Sequence, residues 1–127
     1  MKLSTALAIA PFLLAMNVAA EAACVYPQAP QALPNGSSAS KDEMLAAQGL
    51  IKEYVNSVQE TYLPCLEKER TDAAAALDNM DPEFTQKKAS LDAIHAKKHN
   101  AALDELQALV DRWNAEKKAY SDKQADK

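Results

Sequence analysis

A chain of 127 residues carrying 14 Lys and Arg against 18 Asp and Glu has a formal net charge of −4. That balance argues against nucleic acid as the main partner and supplies no polybasic segment for an anionic membrane surface. Two glycines and an aromatic fraction of 6% argue equally against a turn-rich β fold.

Residues 1–22 read as a secretory signal. Lys2 gives a positive start, Leu3 to Ala20 is apolar apart from Ser4, Thr5 and Asn17, and Pro11 interrupts the run. Ala20-Glu21-Ala22 and Val18-Ala19-Ala20 both fit the small-x-small cleavage rule, so cleavage follows Ala20 or Ala22. A retained anchor and a lipidated Cys24 are the alternatives; Glu21 stands where a lipoprotein site wants an apolar residue. Removal of the signal leaves about 105 residues, enough for one small domain. The expected location is periplasmic or secreted, with no membrane anchor after cleavage.

Cys24 and Cys65 are the two cysteines of the chain. In an oxidising compartment they are expected to pair. An intermolecular bridge, or a lipidated Cys24 beside a free Cys65, remain as alternatives. From Cys24 to Ser40 the chain carries Pro27, Pro30 and Pro34, then Asn35-Gly36. Proline fixes φ and Asn-Gly favours a turn, so residues 23–40 are expected to be extended rather than helical.

A helix is expected to begin at the capping box Ser40-Lys41-Asp42-Glu43. Met44, Ala47, Ile51, Tyr54, Val55, Val58 and Tyr62 follow in steps of three and four, and the pattern continues weakly to Leu77. Pro64 falls inside this run, where a proline removes one hydrogen bond and clashes with the preceding turn. A kink near residues 60–63 is expected, with a full break into two helices as the alternative. Asp81-Pro82-Glu83 then reads as N-cap, first helical position and dipole-complementing acid. The second helix, carrying Phe84, Leu91, Ile94, Ala102, Leu106, Leu109, Val110, Trp113 and Tyr120, is expected to run to about Ser121.

Two helical stretches of similar length, 41–79 and 82–120, joined by a short connection imply an antiparallel pair. A turn near 80–81 sets residue i opposite residue 161−i, which places Tyr62 near His99 and Ile51 near Val110. A stretch with Glu67, Glu69, Asp72 and Asp78 against Lys68 and Arg70 then faces one with Lys87, Lys88, Lys97 and Lys98 against Asp92. Cys65 lies about 36 Å along the first helix at 1.5 Å per residue. The 16 steps from Cys24 to Ser40 span at most ~50 Å in an extended conformation. A Cys24–Cys65 bridge therefore requires the proline-rich segment to run back along the helices as a strap. The expected fold is all-α: a long antiparallel helical hairpin with coiled-coil-like spacing, kinked at Pro64, under an N-terminal strap held by a disulfide. Its organisation is signal peptide 1–22, strap 23–40, hairpin domain 41–122 and frayed tail 123–127.

Few residues suggest chemistry. His95 and His99 are spaced i, i+4 and could chelate a metal from one helix face. Ala96 stands where the zincin motif needs a general base, however, and Lys97 and Lys98 add like charge; third ligands are not obvious, although Glu67 or Glu69 could approach across the hairpin. Two ordinary helical histidines, with His99 packed on Tyr62, are the simpler reading. Tyr54, Tyr62, Trp113 and Tyr120 fit core positions with a wet edge, and are also the residues from which a partner surface would be built. No nucleophile system assembles around Ser37, Ser38 or Ser40. Lys127 as a cell-wall attachment point has no other support in the chain.

Cys24-Val25-Tyr26-Pro27, Leu33-Pro34-Asn35-Gly36-Ser37, Glu43-Met44 and Ala47-Gln48 resemble the opening of a family of small exported proteobacterial proteins. Lys52-Glu53-Tyr54, Tyr62-Leu63-Pro64-Cys65-Leu66, Lys98-His99-Asn100-Ala101-Ala102 and Arg112-Trp113-Asn114 through Tyr120 continue the resemblance. It covers nearly the whole mature chain and implies architecture and compartment without an activity. Pro64 departs from it, since a helix-compatible residue is expected between Leu63 and Cys65. The functional expectation is a non-enzymatic exported protein that acts through protein contacts, as a homodimer or with an envelope protein, without a cofactor. The alternative is a metal- or small-ligand-binding protein using His95 and His99; an enzyme would need a pocket completed by a partner subunit.

Overall fold

A computed structural model describes residues 23–126; the signal reading of 1–22 and the terminal Lys127 lie outside them. The described residues are mostly helical and contain no strand. Helix α1 (Lys41–Asn56) passes through a π-helical segment, Ser57–Tyr62, into α2 (Leu63–Ala75), and α3 (Phe84–Ala125) forms the second arm.

The start of α1 is fixed by the sequence as expected. The Glu43 amide donates to Ser40 Oγ at 3.2 Å, and the Ser40 amide donates to Glu43 Oε2 at 2.7 Å. Two orphan donors are thereby satisfied at once. Along the arm the buried face carries Met44, Ala47, Ile51 and Tyr54, then Val58, Tyr62 and Leu66. From Tyr54 onward the buried step is four residues each time. An α-helix advances 3.6 residues per turn, so three such steps would rotate the face by about a third of a turn. A π turn accommodates one extra residue and cancels most of that drift. The Leu63 amide accordingly bonds to the Val58 carbonyl, five residues back. Pro64 follows as the second residue of α2, where its missing N–H falls in a helical first turn.

The first arm ends at Ala75, four residues before the expected 79, because Asp78 and Asn79 belong to the turn. Asp78 Oδ1 accepts from the Met80 amide at 2.9 Å, and Asp81 Oδ1 accepts from the Glu83 amide at 2.8 Å. Asp81 thus caps the Pro82-Glu83 turn, and α3 proper begins at Phe84 rather than at Pro82. It runs 42 residues to Ala125, past the expected end near Ser121.

Contacts between α2 and α3 include Arg70 to Asp92 at 3.1 Å, Glu67 to His95 at 3.4 Å and Lys98 to Glu69 at 2.7 Å; the first two lie one residue from the expected register and the third six residues from it. Two clusters of buried side chains form the core. Tyr54, Val58, Tyr62, Leu66, Ala102 and Leu109 make one; Ala39, Met44, Ala47, Ile51 and Trp113 make the other. Leu33, from the proline-rich segment, packs against both. Two arms alone would leave this core open on one side, and small domains bury too little surface without such a third layer.

Candidate functional site

The proline-rich segment is held at three points. At its start Cys24 and Cys65 form a disulfide with Cα atoms 5.8 Å apart and a sequence separation of 41; no described cysteine is free. The intermolecular bridge and the lipidated Cys24 with a free Cys65 are both set aside by this pairing. A loop of that size gives about 4 kcal/mol of stabilisation in the chain-entropy model.

The second point is Tyr26. Its ring meets Tyr62 edge-on at 4.9 Å between centroids and Tyr54 at 6.5 Å, the geometry that ring quadrupoles favour. Its hydroxyl shares a 2.5 Å hydrogen bond with Tyr54 Oη. Burial first, then the hydrogen bond to Tyr54 and the Glu105 carboxylate, push the Tyr26 phenol well above the ordinary tyrosine range. The expected packing of Tyr62 on His99 gives way to this contact with Tyr26, and the His99 ring instead has His95 as its neighbour, 5.8 Å away.

The third point is Gly36. Its amide donates to Glu116 Oε2 at 2.7 Å, and Lys123 Nζ donates to the Ala39 carbonyl at 2.9 Å. A Cβ on Gly36 would stand 1.9 Å from the Glu116 carbonyl oxygen and 2.9 Å from the Tyr120 nitrogen. No described residue has a positive-φ backbone. Glycine is needed here because two backbones touch, not because the turn demands a left-handed residue.

Beyond Cys65 the arms are tied by charge. Arg70 joins Glu67 (2.6 Å) to Asp92 (3.1 Å), and Lys98 reaches Glu69 (2.7 Å). The neighbouring cations, Arg70 foremost for Glu67 and Lys88 foremost for Asp92, hold both carboxyls below the usual carboxylate range. His95 and Glu69 line a cavity of about 40 Å³ with Leu66, Arg70, Leu91 and Lys98. Nε2 of His95 and Oε2 of Glu69 are buried there without a hydrogen-bond partner. The 3.4 Å approach of His95 Nε2 to Glu67 is an ion pair only for a protonated imidazole. Such a volume suits a water-sized guest, not a substrate. Among the described residues no group of three or more His, Cys, Asp or Glu side chains is placed to hold a metal ion. His95 and His99 are brought side by side, and around His95 stand Glu67, Glu69, Arg70 and Lys98.

Tyr54, Tyr62, Trp113 and Tyr120, the residues expected to offer a partner surface, lie mostly inside the fold. Tyr54, Tyr62 and Trp113 are 3%, 8% and 6% exposed, and Tyr120 packs half-buried against the Trp113 cluster. Long amphipathic rings were needed to fill a core that has few other large groups. Exposed large apolar side chains are Val25, Leu45, Leu50 and Leu103 as well as Met80 and Ile94. Where the arms approach the turn, a groove of about 440 Å³ opens between Ala73 and Leu77 on one side and Leu91 and Ile94 on the other, rimmed by Glu83 and Lys87. Ile94 is 54% exposed on this groove, and Met80, in the adjoining turn, is 83% exposed. The signal for this groove was in the sequence: Leu77, Leu91 and Ile94 lie beyond the reach of a strap whose covalent tie is at Cys65.

No protein-family model, no curated protein and no solved structure matches the chain. The disulfide, and the fact that among the described residues no helix is long and apolar enough to cross a membrane, are compatible with an extracytoplasmic location.

Proposed function

We propose that the chain is an exported, non-enzymatic protein that acts through protein–protein contacts made at the open end of its arms. Its working form is a long antiparallel helical hairpin, kinked at Pro64 and braced by the strap. The observation carrying this reading is the apolar groove between Leu77, Leu91 and Ile94, on the part of the arms that the strap leaves bare. Apolar surface of this kind, rimmed by charge, is what protein partners cover. The Cys24–Cys65 bridge and the signal-like residues 1–22 support export, because a structural disulfide persists in an oxidising compartment. Either a second copy or an envelope protein fits the mixed-charge rim of Glu83 and Lys87.

The test is a photo-crosslinking amino acid placed at Ile94 in the intact envelope, with light scattering of the purified protein alongside. A specific crosslink, to itself or to one envelope protein, that is lost in Leu91→Glu supports the proposal. A strict monomer that captures no partner would refute it.

A further inference from the structure

We propose that the Asn35–Gly36 step is a self-modification site that the docked strap keeps silent, and that its conversion to an isoaspartyl link makes release of the strap one-way. This stands independently of the partner groove.

The chemistry is intrinsic to Asn-Gly. The Gly36 amide nitrogen, with no side chain to shield it, attacks Cγ of Asn35. An N–Cγ bond forms, the Cγ–NH2 bond breaks, the amide proton passes to the departing nitrogen and ammonia leaves, giving a cyclic imide. Solvent water then adds to one imide carbonyl. Opening on one side yields Asp at 35; opening on the other yields an isoaspartyl link, in which the main chain gains a methylene and a free carboxylate stands beside it. No oxidant or reductant enters.

In the folded protein each reacting group is restrained. The Gly36 N–H is held by Glu116 Oε2 at 2.7 Å, so its nitrogen cannot turn towards Cγ without breaking a charge-assisted bond. Asn35 Oδ1 accepts from the Ser37 amide at 2.9 Å, which fixes the side chain. The Asn35 carbonyl accepts from the Ser38 and Ala39 amides at 3.0 and 2.7 Å, which fixes the peptide that would have to rotate. Gly36 itself is buried although Asn35 is exposed.

Once the strap leaves α3, the Glu116 bond and the burial of Gly36 are lost together, which frees the attacking nitrogen; the bonds from Asn35 to the Ser37, Ser38 and Ala39 amides lie within the turn itself and lose only the helix that braces them. The covalent tie between strap and helices is Cys24–Cys65, made to α2, so a thiol reductant is the release to be tested. The isoaspartyl product does not return, whereas the Asp product keeps the original backbone length. The seat under Gly36 has no room even for a Cβ, which would lie 1.9 Å from the Glu116 carbonyl oxygen, and an isoaspartyl link lengthens the backbone at that point. The new carboxylate also adds a negative charge one residue from the Gly36 amide that Glu116 holds. Reduction followed by isoaspartyl conversion therefore leaves the strap undocked even after the disulfide is restored.

The experiment ages the protein at neutral pH with and without dithiothreitol and follows the gain of one mass unit, and the isoaspartyl content, on the peptide containing Asn35. Conversion is expected at least about tenfold slower with the disulfide intact, the suppression that about 1.4 kcal/mol of docking free energy provides. Because reduction could loosen more than the strap, Glu116→Ala is aged in parallel with its disulfide formed and its helix content checked. It is expected to convert faster than the unaltered protein. Equal rates in oxidised and reduced protein overturn the proposal. So does slower conversion in Glu116→Ala, which would make the carboxylate a base for the attack rather than a restraint. Isoaspartyl protein is finally reoxidised and its Gly36 amide followed by hydrogen exchange: lasting loss of protection is expected, and full recovery overturns the one-way step.

Discussion

Replacing Gly36 with alanine tests the strap seat directly. The added methyl would lie 1.9 Å from the Glu116 carbonyl oxygen, 2.9 Å from its carbonyl carbon and 2.9 Å from the Tyr120 nitrogen. All three are backbone atoms inside α3, so no side chain can swing away. The strap must lift, and the Gly36–Glu116 hydrogen bond is lost with it. Hydrogen bonds to charged groups contribute about 1.5–3 kcal/mol, and forced overpacking costs about 1–3 kcal/mol. The two overlap, because lifting the strap relieves the clash. A loss of about 2–4 kcal/mol is expected, which lowers Tm by about 10–20 °C for a domain of this size. Gly49→Ala is the control with the opposite sign. Gly49 lies in exposed α1 with nothing within 4 Å of its Cβ position, and alanine there should add about 0.5–1 kcal/mol. Urea unfolding followed by far-UV circular dichroism, with limited proteolysis of residues 25–35, measures both. A Gly36→Ala protein as stable and as protease-resistant as the unaltered one would refute the close approach of strap and helix.

Three further outcomes follow from the same contacts. Thiol counting under denaturing conditions should find no free thiol before reduction, and the Cys24→Ser, Cys65→Ser double variant should lose about 4 kcal/mol in urea unfolding. Tyr26 binds its proton more tightly folded than unfolded, so its contribution is fully present below the ordinary tyrosine range and is lost as pH rises towards its raised folded value. Ultraviolet titration should show Tyr26 ionising only with unfolding, and Tyr26→Phe should abolish that late step. Glu43, Glu67, Asp81 and Asp92 are held below the carboxylate range by the Ser40 backbone, Arg70, Lys87 and Lys88 respectively. Their contribution is present above the unfolded carboxylate range and is lost as pH falls through the lowered values, so the urea midpoint should drop in acid and the drop should shrink in high salt.

What the sequence made legible was mostly local. Ser40 and Glu43 declare their cap by spacing alone, and the reach argument from Cys24 to Cys65 requires a strap before any coordinate is seen. The seat of that strap was not legible. Asn35-Gly36 looks like a turn chosen for backbone freedom, whereas Gly36 is needed for contact with Glu116 and Tyr120, eighty or more residues away. The role of Tyr26 was hidden too, because its partner Tyr54 lies 28 residues on and no local spacing links the two. Ile94 and Met80 are illegible for another reason: each is an ordinary apolar residue on a helix or turn, and nothing local separates them from Leu45 or Leu50, which are exposed on α1 to a similar degree as Ile94.

Pro64 offers the last test, because two accounts of it differ by a measurable amount. A proline in the interior of a continuous helix costs about 3 kcal/mol relative to alanine, so Pro64→Ala would stabilise the protein by about that much. In this fold the cost has already been removed. The π segment Ser57–Tyr62 ends just before it, the Leu63 amide has turned back to the Val58 carbonyl, and Pro64 sits in the first turn of α2, where a missing N–H is harmless. Nor can alanine restore an unbroken α-helix. Removing the π turn would rotate α2 by about 100° relative to α1, turning Leu66, 2% exposed, out of the core and pulling Cys65 from Cys24. Burial of Tyr54, Val58, Tyr62 and Leu66 on one face therefore maintains the π turn whatever residue stands at 64. Pro64→Ala should change stability by less than about 1 kcal/mol. A gain near 3 kcal/mol, with amide exchange showing an unbroken α-helix through residues 57–63, would mean that proline, not the four-residue burial step, creates the π segment.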